Sequence, residues 1–275
     1  MDKIVVAAAQ FLCAVGDKEY NYTKMEQLAR QAREEYHADL LLFPETALTG
    51  CGVKSREEAL AVGEPLDGEY VKKFRAISTE LNMDIAFTMI ERDGDKCYNT
   101  LALCEPDGNF GWYHKIHLPY MGCDRFVDRG DQFCVMETRF GKIGLAICYD
   151  VRFPESARTL ALNGARLILN PSCMTGDGAR RVLSMLVRAR ALENRVYMLY
   201  SNWVGEDEEG LVYLGRSHVV DILGDVLQEA GTEECIIAQE IDLSLAEEKS
   251  IIRPEQEVYI FEDRQPHLYG RLMEK

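Results

Sequence analysis

The segment GKIGLAICYDVRFPES, residues 141–156, carries an apolar strand pattern that ends on a single thiol. The stretch GKIGLAICYD predicts a strand, and the apolar run within it closes at Cys148. Polar side chains follow at once. Pro154 and Glu155 then stand where the first turn of a helix tolerates a proline and favours an acid. The segment therefore predicts a strand that leaves the core at Cys148 and a helix that begins near Pro154.

Apolar runs alternate with amphipathic stretches over the rest of the chain. In the N-terminal half, the pattern predicts strands at residues 3–10, 39–45 and 84–92, helices at 19–38 and 68–82, and two strands around a PDG turn within 97–115. In the C-terminal half, it predicts the helix from 154 to about 163, strands at 165–172, 196–204, 211–227 and 234–243, a long helix at 179–195, and a short helix capped by Ser244. The tail from residue 253 has no regular pattern.

This order is β-α-β-α-β-β followed by β-α-β-α-β-β-β, so two similar halves succeed one another. Chains of this mixed α/β type cover their sheets with helices. The similar halves favour two stacked sheets with helices outside them, which is an α/β four-layer α-β-β-α sandwich. An open doubly wound sheet fits the same order. No linker-like composition divides the chain, which predicts a single domain over residues 1–275.

Composition limits the expected partners and location. The net charge of −15 disfavours nucleic acid and anionic membrane surfaces as partners. No apolar run approaches the roughly 18 residues of a membrane span, and the apolar stretch within residues 1–10 is too short for a secretion signal. The nine cysteines are scattered without a C-x-x-C pair. Most of them are therefore predicted to be core thiols of a reduced, cytoplasmic protein.

Three reactive residues stand at or just beyond predicted strand ends, where functional sites collect in α/β folds. Glu45 follows the buried run DLLLFP, Lys115 lies in GWYHKIHLP, and Cys148 ends GKIGLAI. Each has an ordinary alternative, namely a salt-bridged acid at the rim, an exposed lysine and a buried core thiol. For Cys148, the helix beginning near Pro154 is expected to direct its positive end at the thiol and to lower the thiol pKa.

Together these residue types support one chemistry. A thiol attacks a carbonyl carbon, a carboxylate carries the proton from the thiol to the leaving amine, and an ammonium group stabilises the oxyanion. A metal site is the weaker alternative, because His114, His117 and Cys123 have no second ligand cluster at suitable spacing. The chain also lacks the G-x-S-x-G, P-loop and G-x-G-x-x-G motifs, which disfavours serine hydrolases, P-loop proteins and dinucleotide-binding proteins.

The three residues lie in segments that resemble the motifs of the nitrilase superfamily of carbon–nitrogen hydrolases. LLFPETALTG resembles its glutamate motif, YHKIHLP its lysine motif and GLAICYDVRFPE its cysteine motif. The similarity extends through NPS, RARALENRVYMLYSN and GRSHVVDILGDVL to HLY near the end. The resemblance implies an α-β-β-α sandwich that forms a homodimer or a higher homo-oligomer through its helices. It implies no cofactor and no metal.

The resemblance also implies roles for individual residues. It implies a catalytic triad of Glu45, Lys115 and Cys148 that works through a thioester, with Lys115 favouring the thiolate. The backbone N–H of Tyr149 would join Lys115 in holding the oxyanion. Many members carry a second glutamate in the loop after the lysine, and Asp124 in MGCDRFVDRGD is the nearest residue here. Asp124 is therefore expected either to support Lys115 and Cys148 or to be a surface turn residue in a charged loop.

The residues after the cysteine bear on the substrate class. Cys148-Tyr149-Asp150 resembles the amidase-type branches, including those that act on ω-amides of small acids, whereas nitrile-cleaving members tend to read Cys-Trp-Glu. The resemblance therefore implies hydrolysis of a small aliphatic carboxamide to an acid and ammonia. N-carbamoyl amine hydrolysis and nitrile hydrolysis on the same triad remain alternatives, as does a catalytically silent scaffold for assembly or binding.

Residues outside the triad are expected to select the substrate. The candidates for the pocket are Tyr120, Met121, Met174 and Trp203, and the candidates for holding a substrate carboxylate are Arg152, Arg180 and Arg181. Packing and structural ion pairs are the alternatives for these two groups.

Overall fold

The computed structural model describes residues 3–253 and 255–274, and two six-stranded sheets form its centre. Numbered along the whole chain, the strands of the first sheet are β1 (Lys3–Gln10), β2 (Leu40–Leu42), β3 (Asp84–Asp93), β4 (Lys96–Cys104), β5 (Phe110–His114) and β14 (Cys235–Asp242). They lie in the order β14-β1-β2-β3-β4-β5, with β1, β2 and β3 parallel. Parallel neighbours need crossover connections. The helices α1 (Lys18–Tyr36), α2 (Arg56–Val62) and α3 (Glu69–Leu81) lie in these crossovers.

The second sheet repeats this plan. Its strands are β6 (Cys134–Thr138), β7 (Gly141–Leu145), β8 (Leu167–Ser172), β9 (Tyr197–Asn202), β12 (His218–Val220) and β13 (Val226–Glu229). They lie in the order β13-β12-β9-β8-β7-β6, with β7, β8 and β9 parallel. The crossovers hold α4 (Pro154–Leu162), then α5 (Gly176–Arg181), a π-helical turn (Val182–Leu186) and α6 (Val187–Asn194).

Two small hairpins lie outside the main sheets. They pair β10 (Val204–Glu206) with β11 (Val212–Leu214), and β15 (Ile251–Arg253) with β16 (Gln256–Val258).

Alternation of side chains gives each sheet two packed faces. In β1, Val6 packs between the sheets and Ala7 packs toward the helices. In β8, Leu167 and Leu169 join the core between the sheets, whereas Ile168 joins the cluster that α4 and α6 cover. The layers are therefore helix, sheet, sheet and helix. This confirms the predicted four-layer α-β-β-α sandwich and excludes the open doubly wound sheet.

The strand in the structure is shorter than the strand predicted at residues 141–150. β7 ends at Leu145, and a 3-10 helix occupies Cys148–Arg152. The backbone N–H of Ile147 donates to the Asp150 carboxylate at 2.8 Å. Because this local side-chain acceptor competes with the sheet for the backbone, the chain turns before Cys148 instead of continuing as a strand.

Two helix predictions are also corrected. The predicted helix at 179–195 is divided by the π-helical turn between α5 and α6. The predicted helix capped by Ser244 is wrong, because that region is a 3-10 helix at Leu243–Ala246 capped by Asp242. The Asp242 carboxylate accepts from the Ser244 N–H at 3.0 Å and from its hydroxyl at 2.6 Å, so Ser244 is the donor and not the cap.

The tail is more ordered than its sequence indicates. Besides β15 and β16, it contains 3-10 helices at Pro266–Leu268 and Gly270–Met273. Residues 254 and 275 of the predicted irregular tail lie outside the described residues. In the part of the chain that the structure describes, no helix combines the length and the apolarity needed to cross a membrane.

An aromatic cluster joins α3 to the outer face of the first sheet. Phe74 of α3 is 1% exposed and stacks on Phe87 of β3 with a centroid distance of 4.0 Å. Its ring also lies 5.2 Å from that of Tyr22 on α1 and 6.4 Å from that of Phe43. Phe74 therefore links α1 and α3 to the sheet beneath them.

We expect Phe74→Ala to lower the free energy of unfolding by about 3–5 kcal/mol, because the substitution removes buried surface and leaves a cavity that packed neighbours fill incompletely. Urea unfolding followed by circular dichroism measures the change. Tyr20→Ala on α1 is the matched control, since Tyr20 is 51% exposed and should change the free energy by less than about 0.5 kcal/mol. Equal changes in the two variants would show that the cluster does not anchor the helical layer.

Candidate active site

Glu45, Lys115 and Cys148 meet at the carboxyl ends of strands from both sheets. Glu45 lies in the turn after β2, Lys115 directly follows β5, and Cys148 follows β7. The Lys115 N–H extends the sheet by donating to the carbonyl of Asn99 at 2.9 Å. The relative exposures of Glu45, Lys115 and Cys148 are 1%, 1% and 9%. The structure thus brings the three predicted residues together in a buried position, although 70 residues separate the first two along the chain.

The Lys115 ammonium group is held between two carboxylates. Its Nζ lies 2.6 Å from Oε1 of Glu45 and 2.6 Å from Oδ2 of Asp124. Burial alone would lower the pKa of Lys115, but the negative charges of Glu45 and Asp124 outweigh burial and hold this pKa well above its ordinary value. Lys115 is therefore a permanent positive charge that can stabilise a developing oxyanion.

The Glu45 carboxylate has donors on both oxygens. Oε1 accepts from Lys115 and from the side-chain amide of Asn99 at 2.8 Å. Oε2 accepts from the backbone N–H and the thiol of Cys173, each at 3.1 Å. The indole N–H of Trp203 donates to the backbone carbonyl of Glu45 at 2.6 Å. Four contacts to the carboxylate and one to the backbone therefore fix the position of Glu45 beside the thiol of Cys148.

Asp124 belongs to this buried network. It lies on a 3-10 helix at Gly122–Arg125, and its Oδ1 accepts from Asn99 at 3.0 Å while Oδ2 contacts Lys115. Burial raises the pKa of Asp124 to about 6, although the charge of Lys115 acts in the opposite direction. The structure thus places Asp124 against Lys115, and not in the charged surface turn that was its alternative.

The backbone at Cys148 adopts an unusual conformation. Its φ of 44° lies in the left-handed region, which residues other than glycine seldom occupy. The Asp150 carboxylate supports this turn. Its Oδ2 accepts from the Ile147 N–H and the Tyr113 hydroxyl, each at 2.8 Å, and its Oδ1 lies 2.7 Å from Nδ1 of His117. The surrounding structure therefore holds Cys148 in a conformation that its own residue type does not favour.

The resting thiol of Cys148 is neutral. Burial raises its pKa well above the ordinary value, the charge of Glu45 raises it further, and Lys115 offsets part of the increase. Two carboxylates and one ammonium group already leave the site with a net negative charge, so a thiolate would be repelled. The expected lowering of this pKa, and the expected thiolate, are therefore wrong for the resting site. Helix α4 begins only at Pro154, beyond the 3-10 helix, so its positive end does not start next to the thiol.

A cavity of about 290 Å³ opens onto these groups. Its described lining residues include Glu45, Asp124 and Cys148 from the network and Tyr149, Arg152, Met121 and Met174 from the predicted candidates, together with Cys51, Pro119, Gly122, Cys173, Thr175, Leu211 and Tyr213. Apolar walls with a few convergent polar groups are typical of small-molecule sites.

Other pocket candidates lie away from this cavity surface. Trp203 is 1% exposed and contacts the site through the backbone of Glu45, so it supports that residue from behind. Tyr120 is 91% exposed. Tyr120, Arg180 and Arg181 are not among the described residues that line the cavity.

Sequence reasoning missed Asn99, Asp150 and Cys173 as parts of the site. A polar residue inside the apolar pattern CYNTLALC could have indicated Asn99, because a buried amide needs hydrogen-bond partners. Asp150 stands two positions after Cys148 in the same motif. For Cys173 the sequence has no signal, since a thiol after a buried strand is typical of a core residue and only the fold brings it to Glu45.

The two histidines considered as metal ligands take separate partners. Nε2 of His114 lies 2.8 Å from Oε2 of Glu91, whereas His117 contacts Asp150. Within residues 3–253 and 255–274, no group of three or more histidine, cysteine, aspartate or glutamate side chains is arranged to hold a metal ion.

Comparisons with known proteins agree with this geometry. The carbon–nitrogen hydrolase family model matches residues 5–250. The chain is 36% identical over 271 residues to a nitrilase of Pyrococcus abyssi (strain GE5 / Orsay), covering 98% of this chain and 100% of that protein. It is 31% identical over 268 residues to the omega-amidase NIT2 of Homo sapiens, covering 94% of each.

A solved structure shows the same fold together with a reacted cysteine. A variant of the amidase from Nesterenkonia sp. AN1 is similar with a TM-score of 0.79 and 26% identity, covering 98% of this chain and 97% of that one. That amidase carries the acetamide moiety of fluoroacetamide added covalently at its active-site cysteine. With the family model matched over most of its length and relatives above 30% identity over nearly all of it, this chain belongs to the carbon–nitrogen hydrolase family and is a hydrolase acting on carbon–nitrogen bonds other than peptide bonds.

Proposed function

We propose that this protein hydrolyses a small aliphatic carboxamide to the acid and ammonia through a thioester on Cys148. The observation that carries the proposal is the buried contact of Lys115 with Glu45 beside the Cys148 thiol, at the wall of a 290 Å³ cavity. This volume lies just below the roughly 300–1,000 Å³ range of ligand sites, which suits a small substrate. Similarity to an omega-amidase and to an amidase with a modified active-site cysteine supports the same reaction.

In the first step, Sγ of Cys148 attacks the amide carbon while the thiol proton passes to Glu45. Because the pKa of Cys148 is raised in the resting site, this transfer accompanies the attack and does not precede it. The carbonyl oxygen gains the negative charge. Lys115 and the backbone N–H of Tyr149 are the proposed donors that stabilise it.

In the second step, Glu45 gives the proton to the amide nitrogen, the carbon–nitrogen bond breaks and ammonia leaves. Cys148 then carries the acyl group as a thioester. Water attacks this thioester while it gives a proton to Glu45, and the carbon–sulfur bond breaks. The acid leaves and the thiol recovers its proton from Glu45, so the site returns to its starting state.

Asp124 is proposed as a positioning residue in this reaction. It contacts Lys115 Nζ at 2.6 Å and shares the Asn99 amide with Glu45. These contacts hold the ammonium group beside Glu45 and balance its charge. Asp124 therefore acts through Lys115 and does not itself exchange protons with the substrate.

Arg152 is proposed to bind a carboxylate at the far end of the substrate. It lines the cavity next to Tyr149, and its guanidinium lies 5.9 Å from the Tyr149 ring centroid. Across the described part of the chain, the Arg152 side chain forms no ion pair. A guanidinium group at the wall of a small cavity can bind a carboxylate through two hydrogen bonds. This favours ω-monoamides of short dicarboxylic acids within the amide class.

The expected cytoplasmic location and the expected homodimer or higher homo-oligomer stay predictions. For the oligomer, exposed leucines on the outer face of the second half, Leu162 on α4 and Leu192 on α6, are the surface that we propose for association.

We expect Cys148→Ala to lower ammonia release from short amides by about a thousandfold or more, because the substitution removes the nucleophile. The measurement is ammonia release from a panel of amides, nitriles and N-carbamoyl amines, with mass spectrometry of the acid-quenched wild type to detect acylated Cys148. Cys134→Ala, which removes a half-buried thiol outside the cavity, is the control and should keep the wild-type rate.

The panel also separates the alternative functions. If the protein turns over nitriles or N-carbamoyl amines but does not turn over amides, it belongs to another branch that uses the same triad. If the wild type releases no ammonia from any compound, the scaffold alternative replaces the proposed reaction.

The pKa of Asp124 predicts how kcat/KM changes at acidic pH. Below about pH 6 Asp124 binds a proton and Lys115 loses one of its two anionic partners. We therefore expect kcat/KM of the wild type to fall as the pH drops through about 6. Asp124→Asn lacks the charge at every pH, so its kcat/KM should be about 10–100-fold lower at pH 8, as for other residues that orient a reacting group, and the limb near pH 6 should disappear.

Asp128→Asn is the matched control for this profile. Asp128 lies on the same loop but pairs with Arg56 at 2.6 Å, and it does not line the described cavity. This variant should keep both the rate and the acid limb. Persistence of the limb near pH 6 in Asp124→Asn would show that another group causes it.

We expect Arg152→Gln to raise KM about 10–100-fold for a monoamide that carries a free carboxylate, since charge-assisted hydrogen bonds are lost. KM for an uncharged amide of similar length should change less than about threefold. Steady-state kinetics on both substrates provide the measurement, with Arg181→Gln as the control of equal charge change. An equal effect of Arg152→Gln on both substrates would contradict a carboxylate-binding role.

A further inference from the structure

Two thiols that the proposed reaction does not use lie in contact beside the catalytic carboxylate. Sγ of Cys51 is 3.2 Å from Sγ of Cys173, and both sulfur atoms are reduced. The Cys173 thiol in turn contacts Oε2 of Glu45 at 3.1 Å. Both cysteines line the same cavity as Cys148. A small molecule that reaches the nucleophile therefore also reaches this dithiol.

We propose that Cys51 and Cys173 form a reversible disulfide when a peroxide enters the cavity, and that this modification lowers the turnover of the hydrolase. The second half of this proposal rests on the proposed function. The first half, the site of modification, stands on the contact between the two thiols and on their access to the cavity.

The short contact makes the bond accessible without a large rearrangement. A disulfide has a sulfur–sulfur distance of about 2.05 Å, so the two atoms must approach by about 1.2 Å. Cys51 is 8% exposed and Cys173 is half-buried at the cavity wall. Cys123 also interacts with Cys51, but it is 1% exposed and is not among the described residues of the cavity. Cys173 is therefore the partner that a solvent-borne oxidant meets together with Cys51.

The electrostatics assign different roles to the two sulfur atoms. The single proton of the Cys173 thiol lies between Cys51 Sγ and Glu45 Oε2, so the two acceptors share it. Hydrogen bonds from Cys123 and from this shared Cys173 proton, with help from the charge of Lys115, lower the pKa of Cys51 below its ordinary value. The hydrogen bond to Cys51 and burial raise the pKa of Cys173. Since a thiolate is the species that attacks a peroxide, Cys51 is the attacking residue and Cys173 is the resolving one.

The chemistry balances with one peroxide molecule. The Cys51 thiolate attacks hydrogen peroxide, the oxygen–oxygen bond breaks, and a sulfenic acid and hydroxide form. The Cys173 sulfur then attacks the sulfenic sulfur and displaces the second hydroxide as Glu45 accepts the Cys173 proton. In total, two thiols lose two electrons and two protons, and the peroxide is reduced to two molecules of water.

The disulfide would change the catalytic carboxylate directly. Oε2 of Glu45 would lose the thiol donor of Cys173 and keep its backbone N–H donor at 3.1 Å. The two sulfur atoms at the cavity wall would also shift toward each other. Because Glu45 must stay aligned with the Cys148 thiol and the leaving amine, we expect turnover to fall by about tenfold or more.

Treatment of the reduced protein with a small excess of hydrogen peroxide tests both the site of the disulfide and its effect on turnover. Non-reducing peptide mapping by mass spectrometry should show the peptides of Cys51 and Cys173 linked, with the loss of two hydrogen atoms. Ammonia release from the best amide should fall by about tenfold or more and should recover after dithiothreitol. Cys51→Ser and Cys173→Ser should lose the link and should be at least several-fold less sensitive to peroxide, each judged against its own untreated rate.

The double variant Cys134→Ser/Cys235→Ser is the matched control, because both residues are half-buried thiols outside the described cavity lining. This double variant should still form the disulfide between Cys51 and Cys173 and should stay as sensitive to peroxide as the wild type. A link between Cys51 and Cys123, a link to Cys148, or over-oxidation of Cys148 without any link would overturn the assigned site. A link without a change in rate would overturn the regulatory effect. If the link forms in a protein that releases no ammonia before treatment, the proposed function fails while the modification site stands.

Discussion

The buried ammonium group of Lys115 is the interaction on which the rest of the site depends. Moving an isolated charge out of water costs several kcal/mol, and removing one partner of a buried ion pair typically costs about 3–5 kcal/mol. Lys115 therefore needs Glu45 and Asp124, each 2.6 Å from its Nζ. The same contacts place the carboxylate and the ammonium group beside Cys148. The constraint that makes the buried charge tolerable also arranges the groups that the proposed reaction uses.

The thiols of the cavity have opposite electrostatic environments. Cys148 lies beside Glu45, whose charge adds to burial and raises the thiol pKa. Cys51 lies between two thiol donors and within reach of the Lys115 charge, which lower its pKa. In the proposed reaction, Cys148 therefore keeps its proton until a substrate brings a carbonyl carbon and Glu45 can take the proton. Cys51 is the thiol that we propose to react with an oxidant.

The site also joins the two halves of the fold. Glu45 and Lys115 follow strands of the first sheet, whereas Cys148 follows β7 of the second. Tyr113 of β5 donates to Asp150 in the turn that holds Cys148 at a φ of 44°. The unfavourable backbone conformation is thus maintained by contacts from the opposite sheet. Packing of the two sheets is the condition for both the strained turn and the assembled groups of the proposed catalytic site.

Much of this arrangement could be read from local sequence, because strand alternation, helix periodicity and turn residues are short-range properties. They predicted most strands of the two main sheets, several helices and the two similar halves that stack as a sandwich. They missed β6 and α2, and they joined β11, β12 and β13 into one strand. Reactive residue types at the ends of apolar runs, together with the family resemblance, singled out Glu45, Lys115 and Cys148. The tertiary structure decided what depends on groups distant along the chain. It placed Asn99 between two carboxylates, brought Cys173 to Glu45, and reversed the expected pKa shift of Cys148. A pKa follows from the sum of burial and all nearby charges, and neither exists until the two sheets pack together.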